Sequence, residues 1–175
     1  VFFFNFRPDR ARMLSKIILE RAQKSNLYFV TMTEYDENLK TDIAFPPEHI
    51  THTLCEEISG HGLTQCHIAE SEKFAHATYF LNGGRQEPYE KEEDILVPSI
   101  RGYDQVPEMR ANEIADEAVK QIEKGTDFIF VNFANLDMVG HTGNETAVMR
   151  AVEAVDRGLG KIVDAVLISG GLALI

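Results

Sequence analysis

The run Asp127-Phe128-Ile129-Phe130-Val131-Asn132-Phe133 constrains this chain more than any other segment, because it is short, β-rich and apolar on both faces. Such a run reads as a strand buried within a parallel sheet, and parallel strands require crossover connections, usually helices. A helix stands just downstream. Glu145 to Ser169 carries Val148, Val152, Val155, Leu159, Ile162, Val163 and Val166 as a helical stripe, and Gly170-Gly171 stops it. The Thr142 to Glu145 spacing, T-x-x-E, reads as a capping box that starts this helix. Between strand and helix lies Asn135-Leu136-Asp137-Met138-Val139-Gly140-His141-Thr142-Gly143. In open α/β sheets ligands gather beyond the carboxyl ends of the strands, so a carboxylate and an imidazole are expected in one loop where a site would form.

Asp and neutral His are both good ligands for Mn²⁺ or Zn²⁺, and Gly140 and Gly143 let the backbone fold back between and after them. Two donors do not close a site, since such ions normally take four or more. The same pair also reads as a solvated carboxylate and a histidine making ordinary turn hydrogen bonds.

The rest of the chain alternates in the same way. Val1 to Phe6 reads as a strand, Arg10 to Lys24 as a helix burying Met13, Ile17 and Ile18, and Leu27 to Met32 as a second buried strand. Pro46-Pro47 can continue neither a helix nor a central strand, and is expected to divide residues 1–46 from residues 47–175. Beyond it the sequence predicts a helix from Glu48 to Gly60, a strand from Thr64 to Ala69, β character from Lys73 to Leu81 and a turn at Asn82-Gly83-Gly84. The charged stretch from Arg85 to Asp94 reads as a solvated loop, the stretch around Arg101-Gly102-Tyr103 as irregular, and Asn112 to Lys124 as an amphipathic helix.

A net charge of −11 argues against nucleic acid or an anionic membrane surface as a partner. Cys55 and Cys66 fit no zinc spacing and read as reduced thiols of a cytoplasmic protein. No apolar run approaches membrane-spanning length. His49, His52, His61 and His67 have no carboxylate at ligand spacing in the sequence and read as structural, and His76 as a packing or backbone-orienting residue.

Ala134 to Asn144 resembles a signature of the cofactor-independent (2,3-bisphosphoglycerate-independent) phosphoglycerate mutases of the alkaline phosphatase superfamily. Phe4-Asn5-Phe6-Arg7-Pro8-Asp9-Arg10, Thr31-Met32-Thr33-Glu34-Tyr35-Asp36, Ala44-Phe45-Pro46-Pro47, Ala69-Glu70-Ser71-Glu72-Lys73-Phe74-Ala75-His76 and Phe80-Leu81-Asn82-Gly83-Gly84 resemble that family too, in its order. The resemblance implies part of a three-layer, parallel-sheet, alkaline-phosphatase-like α/β domain, preceded by the closing part of an inserted α/β transferase domain. It further implies interconversion of 3-phosphoglycerate and 2-phosphoglycerate through a phosphoserine intermediate with two divalent cations, usually Mn²⁺, with Co²⁺ or Mg²⁺ as alternatives. Asp137 and His141 match two ligands of one metal, Lys73 a lysine beside the reacting phosphate, and Arg7 and Arg10 arginines that grip the phosphoglycerate.

Taken without the resemblance, Arg7 and Arg10 also read as surface charge at a helix start, and Lys73 as half of a surface ion pair. The chain opens within one apolar run, Val1-Phe2-Phe3-Phe4, and closes within another, Leu172-Ala173-Leu174-Ile175, each expected to be a strand. The expectation is an internal piece of a longer, monomeric enzyme, inactive by itself because the nucleophilic serine and further metal ligands are not among these residues. Such a piece would expose sheet edges and self-associate. Another phosphatase or phosphomutase of the superfamily, or a truncated interaction domain without catalysis, are the competing readings.

Overall fold

Alternation of short strands with helices yields two parallel sheets in a computed structural model that describes residues 1–22, 26–48 and 50–175, the side chain of Asp9 excepted. The chain divides into two compact units, Val1–His49 and Ile50–Ile175.

In the first unit, β1 (Phe2–Phe3), β2 (Val30–Thr31) and β3 (Asp42–Ile43) form a parallel sheet in that order. The strands are shorter than the apolar runs that contain them. Helix α1 (Pro8–Arg21) connects the first two and begins with Pro8, whose fixed φ and missing N–H suit a first turn. The buried face of α1 differs from the expected one: Ala11 and Ser15 are buried, whereas Met13 and Ile17 are 65% and 46% exposed. Ala11, Ser15 and Ile18 fall at i, i+4 and i+7, so small residues outranked the larger apolar ones in setting the inward face. The expected helix end at Lys24 lies outside the described residues. Phe29, Met32 and Tyr35 complete this core, and the Phe3 ring lies 5.8 Å from Phe29 and edge-on to Tyr35 at 6.0 Å.

The second unit is built on a parallel sheet ordered β5-β4-β6, with β4 spanning Gln65–Glu70, β5 Glu92–Val97 and β6 Phe128–Asn132. Every residue of central β4 is buried. On one face Cys66, Ile68 and Val97 pack with Ile114 and Ala118 of α4 (Ala111–Lys124), joined by Ile129, Val131, Phe133 and Ile162. Ile162 comes from α6 (Glu145–Ile168). The other face meets α2 (Leu54–Gly60), where Gln65 Nε2 donates to the Cys55 carbonyl at 2.9 Å.

Helix α6 buries Ala147, Ala151, Ala154 and Gly158 most deeply; of the expected stripe, Val148 and Ile162 pack on the core while only partly buried, and Val152 is 49% exposed. Close helix packing explains the choice. A Cβ at position 158 would lie 3.2 Å from the Phe133 ring and 3.3 Å from the Ala111 carbonyl, so only glycine fits without a shift. The capping box does not form: Asn144 is the N-cap and accepts from the Ala147 N–H at 3.1 Å, while Thr142 Oγ1 bonds back to the Val139 carbonyl.

Four further expectations are corrected. Residues 73–81 hold a short helix, α3 (Phe74–Ala77), and turns in place of β structure, with Thr78 Oγ1 donating to the Phe74 carbonyl. The charged stretch before residue 95 is not all loop, because Glu92, Glu93 and Asp94 open β5. Glu92 escapes solvation there by accepting from Asn82 Nδ2 at 2.6 Å and from the Tyr89 N–H at 2.8 Å. Helix α2 begins at Leu54, not Glu48, where Thr53 caps it by accepting from the Glu56 N–H at 3.2 Å; residues 172–175 form no strand.

Candidate functional site

Central β4 ends at Glu70, and β6 ends at Asn132; both carboxyl ends feed short helices. The segment expected as a loop after β6 is one and a half turns of helix, α5 (Asn135–Gly140). Two features fix it. Asn135, fully buried, donates from Nδ2 to the carbonyls of Pro107 at 3.0 Å and Glu108 at 2.7 Å. Val139 sinks into a small core with Met109, Ala134, Ala147 and Ala151, flanked by Tyr103 and Met138. Helical spacing then stacks Asp137 and His141, four residues apart, on the same side.

The result is a compact polar cluster. His141 Nε2 lies 3.5 Å from Asp137 Oδ1, and Lys73 Nζ donates a short hydrogen bond to Asp137 Oδ2. Lys73 arrives from the turn after β4, pinned by its N–H to the Glu70 carbonyl at 2.9 Å. The Lys73 ammonium, and then the nearby His141 and His76, hold the Asp137 carboxyl below its ordinary pKa, so it stays ionised. Asp137 and His141 are half to three-quarters exposed, which leaves Oδ1 and Nε2 open to a ligand. Their separation fits two donors on one cation, for which metal–ligand bonds of about 2.1 Å at tetrahedral angles set donors about 3.4 Å apart.

Beside Lys73, the Glu72 carboxylate accepts from the Tyr103 hydroxyl at 2.6 Å, and this bond pushes the phenol up to about 12. Behind it, Glu70 is fully buried and accepts from the Arg110 N–H at 3.0 Å, and its burial raises the carboxyl pKa. Sequence reading passed over Glu70, Tyr103 and Asn135 as site supports, because each acts through a partner at least 27 residues away.

Arg7 and Arg10 lie in the first unit, Arg7 as the N-cap of α1 and Arg10 in its first turn, both exposed. Lys73, Asp137 and His141 are brought together within the second. Of the histidines, His49 lies outside the described residues; His52 Nδ1 pairs with Glu57 at 3.0 Å, and His61 Nδ1 meets the Glu57 carbonyl at 2.8 Å. The His76 ring packs 5.2 Å from Phe80. His52 and His67 both contradict the expectation of no paired carboxylate: His67 Nδ1 is 3.2 Å from Glu92 Oε1 and 3.4 Å from Asp94 Oδ1. Register across parallel strands supplies the partners of His67, which sequence spacing does not display. Cys55 and Cys66 are free, buried thiols, pushed up to about 11 and about 12, mainly by burial. No helix among the described residues is long and apolar enough to cross a membrane.

Residues 13–175 match the metalloenzyme superfamily. The whole chain is 50% identical to 2,3-bisphosphoglycerate-independent phosphoglycerate mutase 2 of Methanosarcina barkeri and covers 35% of that protein. Over 95% of its length it is 51% identical to the 2,3-bisphosphoglycerate-independent phosphoglycerate mutase of Clostridium acetobutylicum, again covering 35% of the relative. Among solved structures, Leishmania mexicana phosphoglycerate mutase at low cobalt concentration matches with a TM-score of 0.79 at 32% identity, covering 98% of this chain and 34% of that one. The chain thus spans about a third of the length of the curated relatives it matches. On this likeness, and on an α/β architecture of parallel sheets that agrees with it, the chain belongs to the metalloenzyme superfamily and is similar along its length to the 2,3-bisphosphoglycerate-independent phosphoglycerate mutases.

Proposed function

We propose that this chain is part of a metal-dependent phosphoglycerate mutase that interconverts 3-phosphoglycerate and 2-phosphoglycerate, the glycolytic and gluconeogenic step, in the cytoplasm through a phosphoserine intermediate. The observation that carries the reading is the Lys73–Asp137–His141 cluster at the carboxyl ends of β4 and β6. Asp137 and His141 hold one divalent cation, Mn²⁺ by preference and Co²⁺ or Mg²⁺ as alternatives; cobalt appears in the Leishmania mexicana relative's description. When bound, that cation supplies Lewis-acid neutralisation of phosphoryl oxygens.

Phosphoryl transfer demands positioning and charge neutralisation more than elaborate covalent chemistry. Lys73 meets part of that demand. Its ammonium is a compact charge on a flexible stem, anchored to Asp137, and can turn to an oxygen of the transferring group without leaving the site. Asp137, its carboxyl pKa lowered chiefly by Lys73, stays charged to lower pH than an ordinary carboxylate. Arg7 and Arg10 grip the phosphoglycerate, since planar guanidinium groups give the bidentate fit to carboxylate or phosphate that lysine lacks. Residues 1–46 serve as the substrate-binding part and residues 47–175 as the metal-binding part. The chain by itself is inactive, and the complete enzyme acts as a monomer.

Assay of the complete gene product with Mn²⁺ tests this. Asp137→Asn is expected to lower kcat by about two orders of magnitude or more, as loss of metal-site integrity typically does. Arg10→Ala is expected to raise KM for phosphoglycerate while sparing hydrolysis of a generic phosphate ester. Full activity in Asp137→Asn would overturn the metal assignment, and equal loss of both activities in Arg10→Ala would favour a general phosphatase.

A further inference from the structure

On the sheet face opposite α4 and α6, near the amino ends of β4 and β5, three ligand-type side chains converge away from Lys73 and Asp137. His67 Nδ1, Glu92 Oε1 and Asp94 Oδ1 all lie within 4.8 Å of one another. Parallel register sets His67 directly against Asp94, and Gln65 against Glu92, so all three project from the same side of the sheet. The His67 and Glu92 side chains are fully buried, and that of Asp94 is 21% exposed.

Two of the three converging atoms are orphans. His67 Nδ1 makes a hydrogen bond with neither carboxylate despite its proximity, and Asp94 Oδ1 is buried with no hydrogen-bond partner. Leaving such groups unpaired forfeits hydrogen bonds that water supplies in the unfolded chain, and more so when they are charged. The remaining polar atoms of the cluster are held from behind. Glu92 accepts from Asn82 Nδ2 at 2.6 Å and from the Tyr89 N–H at 2.8 Å, and His67 Nε2 faces Cys55 Sγ at 3.7 Å. In the tautomer that directs Nε2–H to the sulfur, the Nδ1 lone pair faces two carboxylates, an arrangement that a cation between them would satisfy.

A proton meets that need poorly. An imidazolium leaves two carboxylates against one positive charge in a buried setting, whereas a divalent ion balances them with a neutral ring. The spacing agrees. Metal–nitrogen and metal–oxygen bonds of about 2.0–2.2 Å at tetrahedral angles separate donors by about 3.4 Å. Nδ1 lies 3.2 and 3.4 Å from the two oxygens.

We propose that His67, Glu92 and Asp94 form a second, structural site for a divalent transition ion of the zinc class, independent of the Asp137–His141 pair. Equilibrium dialysis of the chain against Zn²⁺, compared among the unmodified protein, Asp94→Asn, and an Asp137→Asn/His141→Asn double variant, tests it. One Zn²⁺ retained by the double variant but bound at least about 100-fold more weakly by Asp94→Asn is the expected result. Equal retention in Asp94→Asn would overturn the proposal. Nitrogen NMR of the unmodified protein reads the same site without mutation: Zn²⁺ is expected to move His67 Nδ1 to the metal-bound range. A His67 signal that stays imidazolium and ignores Zn²⁺ would show that a proton alone fills the cluster, and would also overturn it.

Discussion

Asp137 divides its two oxygens between two partners: Oδ2 accepts from Lys73 and Oδ1 faces His141. Because the lysine is the main cause of the depressed carboxyl pKa, the sign of its removal is fixed. A carboxyl depressed in the folded state contributes stability that is present above its unfolded pKa and fades as pH falls through its folded one. Lys73→Met should therefore move the Asp137 titration up toward the ordinary carboxylate range, readable from its side-chain carbon shift across an acid titration. An unchanged midpoint would mean that the pair is not formed in solution. Asp137 is half exposed, so solvent screening keeps the accompanying stability loss to roughly 0–1 kcal/mol. Asp137, His141 and Lys73 could be singled out in the sequence because their motifs are short and local. Their distances to one another could not, since Lys73 stands 64 residues from Asp137. His67 is the sharper case: its carboxylates lie on a neighbouring strand, and only register discloses them.

At the level of elements, Asn144 and Thr142 compete for the start of α6, and the geometry assigns the cap to Asn144. Asn144→Ala should cost about 1 kcal/mol, within the range for lost N-caps, whereas the capping box read from the sequence would put that loss on Thr142→Ala. Chemical denaturation of both variants decides between them. Most helices and the strands β4 and β6 were legible because apolar periodicity and glycine or proline punctuation mark them; α4, expected at 112–124, spans Ala111–Lys124. The misplaced elements share a cause. β5 opens on three acidic residues that look solvated in sequence, yet Glu92 finds a partner from a distant turn and Glu93 from α4, and the inward faces of α1 and α6 are set by small residues. Helix α5 reads as a loop in sequence because its glycines suggest a turn, while the groups that hold its Asn135 and Val139, among them the Pro107 and Glu108 carbonyls and Met109, lie far along the chain.

For the molecule as a whole, the sheet of the second unit pairs β5 and β6 on one side only among the described residues. Unpaired strand edges are templates for further pairing. The chain by itself is expected to self-associate as its concentration rises, which sedimentation velocity would record as a growing average mass; a constant monomer mass would refute this. The two units also divide the proposed labour. Arg7 and Arg10 occupy the first, and the Lys73–Asp137–His141 cluster the second. The central claim, that Asp137 and His141 are a cation's ligands, is tested most directly by adding Mn²⁺ to the isotope-labelled chain and following paramagnetic broadening of its amide signals. Broadening centred on residues 137–141 and reaching Lys73 is expected, with weak affinity because two donors do not close a site, and it is expected to vanish in Asp137→Asn. Signals of α5 that stay sharp, or broadening there that survives Asp137→Asn, would contradict it.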